Sequence, residues 1–186
     1  MHLKSGPGFV AHGGVPLARF AGDCQRVRQN NRQARTGDGV PELAIRDAVV
    51  ADSEAIARLV SELGYPTSTS QMQHRLESIL NDDDYSTLVA CHGEDIVGFV
   101  GTRSGPLYEI DVPYGQVMAL AVALNHQRRG IGRVLLRAAE SRLAERGVRL
   151  LVVTSGNQRA QAHALYEACG YSFTGRRYKK WLETSA

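Results

Sequence analysis

The segment from residue 117 to residue 143 restricts the possible folds more than any other part of this sequence. An apolar run at residues 117–124 is followed by a polar turn at residues 125–132, which contains two glycines. Apolar residues then recur at helical spacing: Ile131, Val134, Leu135, Ala138, Ala139 and Leu143. This pattern predicts a buried strand, a glycine loop and an amphipathic helix in direct succession.

Weaker signals on both sides of this unit complete an α/β pattern. We predict further strands at 43–46, 86–91, 96–102 and 150–153, and a closing pair of strands at 171–173 and 178–182. Helices are predicted after Asp52, over residues 71–80 and before Gly170. Ser70 and Gln73 suit a capping box for the second helix, and Ser68 is an alternative cap. The order βααβββαβαββ therefore predicts an α/β fold with a mixed sheet.

The N-terminal region differs in composition from the rest of the 186-residue chain. Residues 1–41 hold six Lys/Arg against two Asp/Glu, contain seven glycines and show no sustained hydrophobic period. We therefore predict a disordered N-terminal extension at 1–41 and one globular domain at 42–186. The extension is Arg-rich like a transit peptide. A nucleic-acid-binding arm is an alternative, although no aromatic residues alternate with the arginines.

Composition also bears on location and on metal or disulfide chemistry. No apolar stretch has the length of a membrane span or of a secretory signal, which predicts a soluble, cytoplasmic protein with no membrane partner. The three cysteines, Cys24, Cys91 and Cys169, lie far apart and outside any CxxC or Cys/His pattern. We expect neither a disulfide framework nor a metal site.

The glycine loop is the segment most suited to binding a ligand. Glycines at the start of a helix let several backbone N–H groups turn toward one point, where they can bind an anion such as phosphate. The arginines Arg128, Arg129 and Arg133 add positive charge. The plain alternative is a surface turn with solvated arginines. The loop is neither a P-loop nor the dinucleotide motif GxGxxG, which argues against nucleotide hydrolases and dehydrogenases.

Two signatures at their usual separation resemble the GNAT N-acetyltransferase superfamily over about residues 43–182. The first, its acetyl-CoA motif, comprises Leu120, Ala121 and Val122 with Gln127, Arg128, Arg129, Gly130, Ile131 and Gly132. The second comprises Asn157, Ala164, Leu165, Tyr166, Gly170 and Tyr171. The resemblance implies a largely antiparallel sheet flanked by about four helices, with splayed central strands.

The resemblance also implies how the cosubstrate acetyl-CoA would bind. Backbone groups of Ala121 and Val122 would hold the pantetheine arm, and residues 127–133, from Gln127 to Arg133, would hold the pyrophosphate. An N–H of Leu120 or Ala121 would bond the thioester oxygen. Asn157 would contact the arm, and the alternative for this residue is a helix cap.

For the chemistry, the resemblance assigns Tyr166 as the acid that protonates the departing thiolate, with a core aromatic as the alternative. His163 is either an assistant to Tyr166 or a plain surface histidine. Relatives acting on small amines often carry a Glu on the strand before the motif, but the corresponding positions here hold Gln116 and Ala119. The general base is thus unassigned. Glu109 and Asp111 are candidates to bind or deprotonate a cationic substrate.

These observations predict an N-acetyltransferase that moves the acetyl group of acetyl-CoA to a primary amine by direct attack in a ternary complex. The amine is predicted to belong to a small molecule, in the manner of the aminoglycoside and aminoalkylphosphonate branches. The alternatives are a protein or peptide N-acetyltransferase and a non-catalytic acyl-CoA-binding regulatory module. No metal and no nucleic-acid partner is expected, and a homodimer is possible.

Overall fold

The computed structural model describes residues 43–182, which form five strands and four α-helices. The predicted disordered extension at 1–41 lies outside the described residues. The strands are β1 (Leu43–Asp47), β2 (Tyr85–His92), β3 (Asp95–Gly105), β4 (Tyr114–Val122) and β5 (Leu150–Val153). The helices are α1 (Ser53–Glu62), α2 (Thr69–Ile79), α3 (Ile131–Glu145) and α4 (Ala160–Ala168), and short 3-10 turns occupy Val50–Asp52 and Leu124–His126.

The five strands form one mixed sheet in the order β1-β2-β3-β4-β5. The first three neighbouring pairs are antiparallel, and β4 and β5 are parallel. The helix α3 connects these two parallel strands, as a crossover must. The prediction of an α/β fold with a mixed, largely antiparallel sheet and about four helices is confirmed.

The two parallel strands, β4 and β5, separate after a short paired stretch. β4 and β5 pair only from Tyr114 opposite Leu150 to Val117 opposite Val153. β4 then continues to Val122 without a partner on that side among residues 43–182, while its other edge stays paired with β3 up to Gly98. The splay predicted for the central strands is therefore present.

Side chains alternate along the sheet and fill a core on each of its faces. One cluster packs α1 and α2 against Val89, Phe99 and Ala121. The other packs α3 against Ala90, Val100 and Val117, and Leu120 and Val122 lie at its margin. The β4 residues that matter for the site are thus fixed by cores on both faces.

The start of the second helix corrects one of our predictions. α2 begins at Thr69 rather than Gln71, and its N-cap is Ser68, whose Oγ accepts a hydrogen bond from Gln71 N at 3.2 Å. Gln71 returns the bond, since its Oε1 accepts from Ser68 N at 2.9 Å. The capping box that we assigned to Ser70 and Gln73 is therefore formed two residues earlier, by the alternative cap Ser68.

The predicted closing pair of strands is absent. Residues 171–182 form neither helix nor strand, so β5 is an edge of the described sheet. The apolar side chains that suggested strands, Phe173, Tyr178, Trp181 and Leu182, are all more than 80% exposed. Alternating aromatic residues favour a strand only where a neighbouring surface buries one of its faces, and these four side chains stay exposed.

None of the helices within residues 43–182 is both long and apolar enough to cross a lipid bilayer. The cytoplasmic location stays a prediction.

Candidate active site

The open edge of β4 is the first component of the site. Ala123 N donates to Val97 O at 2.9 Å, and Ala121 O lies on the β3 side, 2.9 Å from where a Cβ on Gly98 would stand. Since backbone groups along a strand point alternately to its two edges, those of Leu120 and Val122 point away from β3. Peptide groups of both residues therefore face the gap left where β5 diverges.

This alternation separates the three β4 residues that we assigned to the acetyl-CoA site. Ala121 is paired with Phe99, so its backbone groups face β3 and its side chain is buried. Leu120 and Val122 are the residues whose backbone is positioned to bind an extended chain in the gap. The contacts predicted for Ala121 and Val122 with acetyl-CoA stay a prediction, and at the gap the backbone of Leu120 lies on the same side of β4 as that of Val122.

The loop after β4 is held in place by a side-chain hydrogen bond from Gln127. Gln127 Nε2 donates to Val122 O at 3.1 Å, which ties the loop to the open edge of β4. Arg128 has a φ of +62°, and it is the one non-glycine residue with positive φ among those described. A left-handed conformation costs an ordinary residue about 1–2 kcal/mol, and such strain is concentrated at functional sites.

The N-terminus of α3 directs free backbone donors toward the same region. Gly130, with a φ of +81°, caps the helix without any side-chain hydrogen bond. In the described part of the chain, the N–H groups of Arg129, Gly130, Ile131 and Gly132 have no acceptor. Together with the helix dipole, these donors form a ready anion-binding site.

Ile131 and Gly132 take different parts in building this end of the helix. The side chain of Ile131 is buried in the core, which anchors the first turn of α3. A Cβ on Gly132 would lie 3.2 Å from Leu165 Cδ2 and 3.8 Å from Val122 Cγ2. Gly132 therefore allows α4 to approach α3 beside the open edge of β4.

The three arginines of the loop and first turn carry charge that no carboxylate in residues 43–182 neutralises. Arg128, Arg129 and Arg133 are all exposed and form no ion pair within that range. Their positive charge adds to the field of the helix N-terminus. The electrostatics of this end of the gap favour a multiply charged anion such as a pyrophosphate.

Tyr166 lies on α4 at the margin of the α3 core. Its ring stands 5.8 Å from the ring of Tyr171, at an interplanar angle of 59°. Burial raises the pKa of the Tyr166 phenol above its ordinary value of 10, and the charge of Arg159 acts in the opposite direction. The phenol is therefore protonated at neutral pH and is available as a proton donor.

Comparison with known proteins agrees with this geometry. Residues 53–171 match the model of the acetyltransferase (GNAT) family. The chain belongs to the GNAT acetyltransferase family. It is 32% identical over 148 residues to an aminoglycoside N(6′)-acetyltransferase type 1 of Stenotrophomonas maltophilia, across 76% of this chain and 95% of that protein. The enzyme is thus an N-acetyltransferase.

Solved structures share the fold. A GNAT family acetyltransferase from Staphylococcus aureus superposes with a TM-score of 0.66 at 25% identity, covering 75% of this chain and 98% of the other. An aminoglycoside N-acetyltransferase determined with CoA gives a TM-score of 0.71 at 16% identity, covering 80% and 100% respectively. At this identity the second match shows the fold alone.

Two other predicted residues of the acetyltransferase are less closely tied to the gap. Asn157 is exposed in the turn after β5, and the N-cap of α4 is Arg159 without a side-chain bond, so Asn157 does not cap the helix. His163 is half-buried on α4, one turn before Tyr166. Neither side chain makes a hydrogen bond within the described residues.

The acidic candidates lie at the far end of β4. Glu109 and Asp111 are exposed in the loop between β3 and β4, which precedes Tyr114, whereas the glycine loop follows Val122. Gln116 and Ala119, where relatives carry the glutamate, are half-buried on β4. Within residues 43–182, no three His, Cys, Asp or Glu side chains are placed to share a metal ion.

Sequence reasoning did not single out Arg159, which the structure places between the start of α4 and the end of α1. Its Nη2 donates to Leu63 O at 2.7 Å, and its guanidinium lies 5.9 Å from the ring centroid of Tyr65. The only local signal was its position just before a predicted helix, where an arginine is unfavourable beside the positive end of the dipole. An arginine at that position is therefore explained by its contacts with residues distant in the sequence.

Proposed function

We propose that this enzyme transfers the acetyl group of acetyl-CoA to a primary amine of a small molecule, by direct attack within a ternary complex. The observation that carries the proposal is the open edge of β4 at Leu120–Val122, which lies beside the unpaired N–H groups at the start of α3. Tyr166 is held near the same edge through Leu165 and Gly132. One region of the fold would therefore offer backbone donors, an anion site and an acid.

The residues present fit CoA, whose acetyl thioester supplies the group to be transferred. The backbone of Leu120 and Val122 would hold the pantetheine amides as an added strand would be held. The N–H groups of residues 129–132, with Arg128, Arg129 and Arg133, would hold the pyrophosphate. Because the N–H of Leu120 is nearer the start of the open edge, we assign to it the hydrogen bond to the thioester oxygen.

Tyr166 would protonate the departing thiolate. The phenol of an unperturbed tyrosine has a pKa of about 10 and a thiol about 8.5, so this transfer is uphill by about 2 kcal/mol. Burial of Tyr166 raises its pKa and increases that cost. The transfer therefore benefits from any positive charge held near the phenol oxygen.

The acceptor must be deprotonated before it attacks. An alkylammonium of pKa about 9.5 costs about 3.4 kcal/mol to neutralise at pH 7. Glu109 and Asp111 lie at the opposite end of β4 from the open edge. We therefore propose that water carries this proton from the amine to solvent. The likeness to an aminoglycoside acetyltransferase makes aminoglycosides the first acceptors to test.

The test measures thiol release from acetyl-CoA against a panel of aminoglycosides, polyamines, aminophosphonates and short peptides. We expect release with one class of small amines. Tyr166→Phe should lower kcat by about 10²-fold or more, the usual contribution of a general acid. Acetyl-CoA binding, measured by calorimetry, should stay within about threefold, because the phenol is not assigned to CoA binding.

The matched control is Tyr178→Phe, which removes a phenol that is 86% exposed. It should behave like the wild type in both assays. Release with peptides alone would replace the small-molecule acceptor by a protein acceptor. Tight acetyl-CoA binding with no release for any amine would favour the regulatory module.

A further inference from the structure

Arg159 connects the first turn of α4 to the end of α1. Its Nη2 donates to Leu63 O, the C-cap carbonyl of α1, at 2.7 Å. Its guanidinium also lies over the ring of Tyr65, 5.9 Å from the centroid. These two contacts join segments 96 residues apart in the chain, so Arg159 fixes the position at which α4 begins.

The charge of Arg159 is not neutralised by these contacts. A carbonyl and an aromatic face are neutral partners, and no carboxylate within residues 43–182 forms an ion pair with Arg159. The guanidinium is half-buried, where screening by water is weaker than at the surface. Its positive charge therefore acts on whatever lies nearby.

Arg159 and Tyr166 belong to the same helical segment. Arg159 is the N-cap residue of α4, and Tyr166 lies seven residues later within the helix. Side chains on a helix tilt toward its N-terminus, so the ring of Tyr166 leans toward the end that carries Arg159. The chain thus places a cation at the end of the helix toward which the phenol leans.

We propose that Arg159 is a positioning residue for the transfer reaction: it sets the place of α4 against α1 and holds a positive charge at the end of α4 toward which the Tyr166 side chain tilts. This inference rests on the proposed function, because it assigns Arg159 a role through the acid of that reaction. The guanidinium contacts neither the open edge of β4 nor the glycine loop in this structure.

The charge of Arg159 shifts the pKa of Tyr166 in the direction that the proposal requires. Burial raises the pKa of the phenol, and the positive charge of Arg159 lowers it. The ring of Tyr171 lies 5.8 Å from that of Tyr166, and the Tyr171 hydroxyl donates to Glu140 of α3 at 2.9 Å, while His163 precedes Tyr166 by three residues on α4. Arg159 is the cation that offsets burial.

The charge of Arg159 acts when Tyr166 transfers its proton. When Tyr166 gives its proton to the departing thiolate, its O–H bond breaks, an S–H bond forms, and the negative charge moves from sulfur to the phenolate oxygen. The phenolate then regains a proton from solvent. A nearby guanidinium stabilises the phenolate and therefore lowers the barrier to the transfer.

The experiment compares Arg159→Gln and Arg159→Lys in the full chain. For Arg159→Gln we expect kcat to fall about three- to tenfold, with KM for acetyl-CoA within about twofold. The alkaline limb of the kcat profile should move to higher pH, because the phenol loses the charge that lowers its pKa. Arg159→Lys should return the limb toward its wild-type position.

A second readout does not depend on turnover. Titration of tyrosinate absorbance, taken as the difference from Tyr166→Phe, should show the Tyr166 phenol ionising at higher pH in Arg159→Gln than in wild type. Tyr65→Leu removes the aromatic partner but keeps the charge, and it should leave this titration unchanged. Arg176→Gln, which removes an exposed arginine, is the control for loss of charge in general.

The outcomes separate the two proposals. A wild-type enzyme that acetylates no amine would overturn the proposed function, while the absorbance titration would still test the pairing of Arg159 with Tyr166. An active enzyme in which Arg159→Gln lowers thermal stability but moves neither the limb nor the titration would make Arg159 purely structural. Either result leaves the other proposal open to its own test.

Discussion

The two halves of β4 differ in what surrounds them. Its first four residues, Tyr114 to Val117, pair with β3 on one side and with β5 on the other, and Gly115 and Val117 are buried. In its second half, Ala119 to Val122 pair with β3 alone, and Met118 lies at the register shift that precedes them. One strand therefore has a fully satisfied half and a half with open peptide groups.

The difference shows how a sheet can hold a binding site without losing stability. Open peptide groups at a strand edge are costly if buried and prone to pairing with other chains. Here the neighbouring residues of the same strand are locked between two partners, so the open half is held in register. The paired half serves stability, and the open half is the one that we propose binds the ligand.

The largest effect should come from filling the paired half. A Cβ on Gly115 would stand 2.9 Å from Leu143 Cδ1, 3.0 Å from Leu151 Cδ1 and 3.3 Å from Val148 Cγ1. We expect Gly115→Val to lower the free energy of unfolding by about 3 kcal/mol or more, since overpacking of a dense core is poorly tolerated. Chemical denaturation measures this loss.

Gly105→Val is the control for the loss of a β-strand glycine, since nothing lies within 4 Å of a Cβ there. It should change stability by less than about 1 kcal/mol. Equal losses in both variants would show that the paired half of β4 is not tightly packed.

A smaller effect on stability, with an added effect on binding, should come from crowding the open half. A Cβ on Gly98 would stand 2.9 Å from the backbone oxygen of Ala121 and 3.0 Å from Leu135 Cδ1. We expect Gly98→Ala to cost about 1–3 kcal/mol of stability, because a backbone atom cannot turn aside as a side chain can. The displaced edge should also bind acetyl-CoA about tenfold more weakly.

Gly101→Ala tests the same substitution on the same strand where nothing lies within 4 Å. It should leave both acetyl-CoA affinity and stability close to wild type. If Gly98→Ala destabilises the fold yet binds acetyl-CoA normally, the open edge of β4 is not the binding surface that we assign.

The two ends of α3 provide a third test at about equal strain. Gly130 at its start and Gly147 after its end have φ values of +81° and +82°, and a Cβ meets nothing within 4 Å at either. Gly130→Ala and Gly147→Ala should each lower stability by about 1 kcal/mol. Calorimetry should find weaker acetyl-CoA binding only for Gly130→Ala, and weakening by both would mean that helix strain alone is responsible.

The sequence predicted the parts of this site whose physics is local. The apolar run, the glycine loop and the helical stripe after Ile131 each follow from neighbouring residues, and β5 was placed at its observed bounds. Ser68 and Ser70 illustrate the limit of such reasoning. Both can cap a helix, and the reciprocal bonds between Ser68 and Gln71 decide the start of α2.

The features that escaped prediction depend on distant neighbours. Residues 171–182 have the alternating composition of strands, but strand formation needs a partner that the described sheet does not give them. Arg159 acts through Leu63 and Tyr65, and no pattern around it reveals them. Even the direction of the Ala121 backbone required the register with β3.

The smallest effect should appear where the segment after α4 is hydrogen-bonded to α3. The hydroxyl of Tyr171 donates to Glu140 Oε1 of α3 at 2.9 Å. Tyr171→Phe removes this hydrogen bond and should cost about 1 kcal/mol of stability in denaturation, with kcat near wild type. A loss of kcat as large as that of Tyr166→Phe would mean that Tyr171, and not Tyr166, donates the proton.

The pH dependence of stability sharpens this last comparison. Burial and then the hydrogen bond to Glu140 raise the pKa of Tyr171 in the folded protein, whereas an unfolded tyrosine ionises near pH 10. Since the unfolded chain then releases a proton that the folded chain keeps, stability is retained below pH 10 and falls as pH rises above it. The fall should be shallower in Tyr171→Phe. An unchanged slope would mean that Tyr171 is no more protected from ionisation than an unfolded tyrosine, and that α4 is held against α3 by packing at Gly132 and Leu165.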